Sequence, residues 1–276
     1  MNYMEIEYIT KNEFQNILKE AALLFQETYR FYYQNSEEGR LLYLSIKKLL
    51  NHCNSASVIL NGTYFEAIEN SDQVDHSSAK VLLRSALEIY VTLTSLYWFQ
   101  GNENLREKEF RFTVFKYSGL KSRQKLNHND ISSDEVRKKI SKEAIAMKNL
   151  KKVIESKGAE LGKSKAHINK IIEKGWQARS ITSRLEETSL PKFFKMQYSY
   201  LCGFSHSGYD SYAQLAEDEN GIKKRVNTEM LYFLMSFLLA KLNQALLFNL
   251  NENVEVKTSL NETYRLLNKY DINQPC

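Results

Sequence analysis

Between Ser77 and Phe99, the polar residues Ser77, Lys80, Arg84, Glu88, Thr92 and Ser95 recur every three to four positions in an otherwise apolar run. That period draws one polar line along a helix. Arg84 and Glu88, four apart, set a fixed cation beside a carboxylate. A guanidinium grips phosphate through paired donors, and a neighbouring carboxylate is a proton acceptor. The second feature is "YLCGFSHSG", Tyr200 to Gly208, where a helical pattern runs into His206 between two serines. Imidazole titrates near neutrality, so His206 is a candidate proton donor or acceptor. Arg84, Glu88 and His206 are the candidate catalytic residues.

Each feature also has a structural use. On a solvated face an Arg–Glu pair contributes a few tenths of a kcal/mol, and Arg before Glu is the weaker order for the helix dipole. In a cleft the same pair is desolvated at a cost and is kept for something other than stability. A histidine in a last helical turn gains from the negative end of the dipole. Gly208 would then supply the left-handed residue that ends the helix. Ser205 and Ser207 lack the Gly-x-Ser-x-Gly elbow of a serine nucleophile. Of the other histidines, His52 lies beside Cys53 on an apolar helix, His76 precedes a helix start, and His167 follows the basic segment's turn.

The elements that position these residues read as helices throughout. The chain has 276 residues and only two prolines, Pro191 and Pro275, where average usage would give roughly 14. Ten glycines are also few. All-β folds spend both residues in turns, so the expectation is all-α, a helical bundle of about nine helices. Apolar residues spaced by three and four mark helices at Phe14–Phe25, Leu42–Leu60 after an N-cap at Ser36, Ser77–Phe99, and from Glu103 to His128. Ser132 and Glu135 form a capping box before a seam at Ile140, Ala144, Met147, Leu150 and Ile154. Gly158 and Gly162 mark the turn that follows, and Ile168, Ile171 and Ile172 the return arm. Ser189 before Leu190–Pro191 reads as the cap of the helix that carries His206. Two more helices fit Thr228–Asn249 and Glu255–Tyr270. The stretch Met230–Leu250 is apolar for ten residues, then broken by Lys241, Asn243 and Gln244, and reads as a buried core helix rather than a membrane span.

Three cysteines, Cys53, Cys202 and Cys276, form no disulfide framework and no C-x-x-C pair. This fits a reducing cytoplasm and gives zinc no thiolate anchor, and we expect no metal and no cofactor. The N-terminal residues show no charged region leading into an apolar one, so no signal peptide is expected. Charge is uneven. Residues 121–175 hold 15 Lys and Arg against 7 Asp and Glu, a net +8, while the whole chain is +5. The expectation is one helical domain, 1–276, with a basic helical hairpin inserted at 121–175. Lys138, Lys139, Lys142, Lys151 and Lys152 on that hairpin are candidate RNA-phosphate contacts. Lysine-rich faces are also simply solvated, and no aromatic residue lies between Lys121 and Gly175 to stack a base.

Two segments together resemble a known family: "LLRSALEIYVTL" (Leu82–Leu93) and "GWQARSITSRLEETSLPKFFKMQYSYLCGFSHSG" (Gly175–Gly208). They are similar to an Arg-x3-Glu helix and a tyrosine-bearing helix ending in Ser-His, found in a prokaryotic all-helical family catalogued as a domain of unknown function. The resemblance spans residues 40–250. It implies that Arg84, Glu88, Trp176, Tyr198, Ser205 and His206 belong to one shared feature, with Trp176, Tyr198 and Ser205 in support. More distantly the chain resembles the HEPN group, many of them metal-independent ribonucleases of toxin or antiphage systems that often act as dimers. Their mark is Arg followed by His after four to six residues, the pair that in-line attack by a ribose 2′-hydroxyl needs. His206 departs from that pattern, because Ser199, Tyr200 and Leu201 occupy the arginine positions. Arg123–His128 matches the spacing alone. The HEPN resemblance thus implies an RNA-directed, homo-oligomeric protein, and the reading of Met230–Leu250 as a core helix adds the expectation of no membrane partner. The alternative is a non-catalytic interaction or ligand-sensing module whose polar residues form a structural network.

Overall fold

A computed structural model describes residues 9–32, 36–69, 71–97, 105–125, 133–206, 208–218, 221–250 and 257–270. The architecture is all-α. Among the described residues there are eleven α-helices, two more than expected, and one isolated β-bridge, Thr63 to Gln73. The order is α1 (Lys11–Tyr32), α2 (Glu37–Ile59), α3 (His76–Leu96), α4 (Leu105–Arg123), α5 (Asp134–Glu160), α6 (Lys165–Lys174), a 3-10 turn at Gly175–Ala178, α7 (Ile181–Leu185), α8 (Phe193–Ser205), α9 (Tyr209–Asp218), α10 (Gly221–Leu250) and α11 (Asn261–Lys269). The chain forms two compact units. Unit 1 is Met1–Leu93 with Ser189–Cys276, and unit 2 is Thr94–Thr188.

In unit 1, α10 is the central rod. Residues 231–243 are all buried, polar ones included. Lys224–Phe248 is long and apolar enough to cross a membrane, yet 78% of that window is buried within the protein. The residues that break its apolar run pair internally. Lys241 Nζ donates to Gln244 Oε1 at 3.0 Å and Asn243 Nδ2 to Thr263 Oγ1 at 3.0 Å. Against it lies α1, whose buried face is Phe14, Ile17, Ala21 and Leu24. The sequence opens α1 with a capping box: Thr10 N–H donates to Glu13 Oε2 at 2.8 Å and Glu13 N–H to Thr10 Oγ1 at 3.3 Å. Ser36 caps α2 as its type suggests, accepting from Gly39 N–H at 2.9 Å.

Unit 2 packs α4 on the α5–α6 hairpin through Phe110, Val114, Tyr117, Ile154, Ile168 and Ile171. The charge pattern set the hairpin's boundary at 121–175. The compact unit is wider because α4 supplies half of this apolar core. The hairpin turn falls at Gly162, whose φ is +69°. Gly158 is not in the turn. It lies inside α5 and lets Ile168 approach closely. Ser133, not Ser132, stands at the α5 N-cap position without a side-chain bond, and Ser132 lies outside the described residues. Ser189 does not cap α8 either. The α8 N-cap position is Lys192, and the Ser189 hydroxyl pairs instead with Tyr90 OH at 3.2 Å.

Candidate functional site

The polar line of α3 is turned inward. Ser78 and Val81 face solvent, whereas Lys80 is 0% exposed. Arg84 and Glu88 side chains keep 22% and 32% of their surface. What meets them is the aromatic side of α8. The Lys80 ammonium lies 4.1 Å from the Phe204 ring centroid and 5.2 Å from that of Tyr200, where a cation gains from the ring faces. Arg84 lies over Tyr198 at 5.7 Å. Lys80 thus meets Phe204 while Glu88 meets Tyr198, so the two helices run antiparallel along this line.

Arg84 and Glu88 are joined, Nη2 to Oε1, at 2.7 Å. The Tyr198 hydroxyl donates to the same oxygen at 2.9 Å. The second oxygen, Oε2, accepts no hydrogen bond among the described residues, and neither does the buried Arg84 Nε donate one. Burial alone would lower the basicity of Arg84. Tyr198, Glu88 and Cys202 together outweigh it and hold the pKa above the ordinary arginine value. Burial, the largest cause, and Glu88 push the Tyr198 phenol up to about 12 against the opposing effect of Arg84. Arg84 is therefore charged and Tyr198 a neutral donor at neutral pH.

Tyr198, Cys202 and His206 recur at intervals of four and follow one face of α8. Arg84 lies over the ring of the first, and the second helps to hold its pKa up. His206 is the α8 C-cap residue and is exposed. It lies about 6 Å along the axis beyond Cys202 and about 12 Å beyond Tyr198. No hydrogen bond or ion pair among the described residues joins it to Arg84 or Glu88. Ser205 Oγ is buried and makes no hydrogen bond among the described residues.

The remaining candidates lie in unit 2. Trp176 meets Phe115 edge-on, centroids 5.2 Å apart, and carries the Arg184 guanidinium at 4.8 Å. Lys138, Lys139, Lys142, Lys151 and Lys152 are all exposed along α5. Arg123 pairs with Glu143 at 3.0 Å, and His128 lies outside the described residues.

Residues 41–223 match a family described as a family of unknown function, DUF5677. The chain is a member of DUF5677. No curated protein and no solved structure matches it. The DUF5677 segment runs from α2 into the start of α10 and so contains both helices of the Arg84 cluster. Two features of this DUF5677 member were not singled out from sequence. Cys202 lies four residues from both Tyr198 and His206, a helical-face spacing that places it beside them. The arginines Arg179 and Arg184 lie close to Trp176 in sequence, a spacing that allows a cation–aromatic cluster.

Proposed function

We propose that the protein is RNA-directed, of the toxin or antiphage-defence type, and that unit 1 cleaves RNA phosphodiesters without a metal. Arg84 holds the phosphate. Glu88 takes the proton of the attacking ribose 2′-hydroxyl. His206 gives a proton to the departing 5′-oxygen, leaving a 2′,3′-cyclic phosphate and a free 5′-hydroxyl. The observation that carries this reading is the occupancy of Glu88. Arg84 and Tyr198 share one of its oxygens, and the other is left to accept a proton. Glu88 stands beside Arg84 on its own helix, and His206 caps the facing helix one turn beyond Cys202, so this reading needs the RNA to span from Arg84 to the end of α8. The exposed lysines of α5 would add salt-dependent contacts to RNA phosphates. Such a protein would work in the cytosol, and the HEPN likeness favours a homodimer.

The complete burial of Lys80 favours a second reading, in which the polar line fixes the register of α3 against α8 and catalyses nothing. Cleavage of a labelled RNA in EDTA separates them. His206→Ala alters an exposed residue and should leave the thermal transition in place while lowering cleavage about 100-fold or more. Unchanged cleavage by His206→Ala, with cellular toxicity also unchanged, would overturn the nuclease assignment.

A further inference from the structure

Unit 2 holds a partly open cavity of about 250 Å³ that the RNA reading does not use. It lies among α4, α6, α7 and the 3-10 turn, and every lining residue belongs to that unit. One side is apolar, built from Phe110, Val114, Ile171 and the Trp176 ring. The other is cationic: Arg111, Lys163, Arg179 and Arg184 line it against one carboxylate, Glu107.

The cations are held in place. Arg111 Nε pairs with Glu107 at 3.2 Å and its Nη1 with Glu187 at 3.4 Å. Lys163 reaches Glu107 at 2.9 Å. Arg179 forks onto both oxygens of Glu187, one bond being 3.1 Å. Three cations thus share two carboxylates before any ligand arrives. Arg184 is 4% exposed, although it sits on a helix of five residues. Its guanidinium lies against the Trp176 ring, 4.8 Å from the centroid. The Trp176 indole N–H is buried and makes no hydrogen bond among the described residues. The volume is a little under the roughly 300–1,000 Å³ typical of ligand pockets, and the cavity is partly open, so one small ligand fits with part of it at the mouth.

We propose that this cavity binds a nucleoside monophosphate. Charge-assisted hydrogen bonds from guanidinium and ammonium groups hold phosphate, so the phosphate goes to Arg111, Lys163 and Arg179, in competition with Glu107 and Glu187. The planar base goes to the apolar side, against Phe110, Val114 and Ile171, next to Trp176, whose ring already carries the Arg184 guanidinium. An inorganic anion would leave that side unfilled.

Trp176 reports binding directly. The chain has two tryptophans, so Trp98→Phe leaves Trp176 as the single fluorophore. Adenosine 5′-monophosphate should change its emission saturably. Adenosine and inorganic phosphate should each bind at least about 10-fold more weakly, since each lacks one half of the match. Arg179→Gln and Lys163→Met, on the partly exposed rim, should weaken binding about 10-fold with the circular dichroism unchanged. Arg184→Met should do the same if it folds, and the rim variants carry the test if it does not. Three results would each overturn the proposal: no saturable change, binding unaltered in both rim variants, or inorganic phosphate binding as tightly as the nucleotide. Arg84→Gln should leave the titration unchanged, so the outcome is independent of the RNA-cleavage reading.

Discussion

Replacing Gly175 by alanine tests how the 3-10 turn of unit 2 is built. Gly175 has φ +60° and ψ −140°, a conformation closed to residues with a Cβ. An added methyl would stand 2.6 Å from Ser118 Oγ, 2.9 Å from Ser118 Cβ and 3.3 Å from Ser118 Cα. The backbone strain is worth about 1–3 kcal/mol, and forcing a methyl into an occupied space about 1–3 more. Gly175→Ala should therefore destabilise unit 2 by about 2–6 kcal/mol, read from amide exchange of α4 and α6 under native conditions. Gly162→Ala is the control. Its φ is +69°, but nothing lies within 4 Å of the added methyl, so only strain of about 1–2 kcal/mol applies. Ser118→Gly removes two of the three close atoms. Paired with Gly175→Ala it should recover the packing part of the loss and not the strain. If Gly175→Ala matches Gly162→Ala, or if Ser118→Gly recovers nothing, the steric reasoning is wrong.

Other outcomes follow from the same structure. Gly119 is interior to α4 with nothing within 4 Å of an added methyl, so Gly119→Ala should raise the stability of unit 2 by about 0.5–1 kcal/mol in urea titration. Ser36→Ala deletes the side-chain cap of α2 and should cost about 1 kcal/mol, with faster exchange confined to its first turn. Complete burial pushes the Cys53 thiol from its usual 9 up to about 12. A raised pKa means this contribution is full below pH 9 and is lost as pH rises towards 12, by about 4 kcal/mol at most. The slope of stability against pH in that window should flatten in Cys53→Ala, and an unchanged slope would contradict the assignment.

The fold class was legible because scarcity of proline and glycine is a property of the whole chain. Helix bodies were legible for the same reason that they form: Phe14, Ile17, Ala21 and Leu24 repeat with the period that buries one face of α1. Ends were less so. Ser36 caps through a partner three residues away, Gly39 N–H, whereas Ser189 is drawn to Tyr90, a residue remote in sequence. Gly158 carried a turn signal, but Ile168 needs its missing side chain more than the turn needs its flexibility. The line Lys80–Arg84–Glu88 was visible as a period. Its inward direction was not, because that depends on Tyr198, Tyr200 and Phe204 arriving from another helix. The unit 2 cavity was hidden for a like reason. Arg111, Lys163 and Arg179 are far apart in sequence, and shared carboxylates bring them together.

The most direct test of the Arg84–Glu88 site is the cleavage rate of a defined RNA in EDTA, compared between the native chain and Glu88→Gln. Glutamine keeps an acceptor for Arg84 and Tyr198 but takes no proton, so unit 1 should stay folded. The account predicts cleavage by the native chain that leaves 2′,3′-cyclic phosphate ends, and a loss of about 100-fold or more in Glu88→Gln. Equal rates in the two proteins, or a native chain that leaves RNA intact, would contradict it.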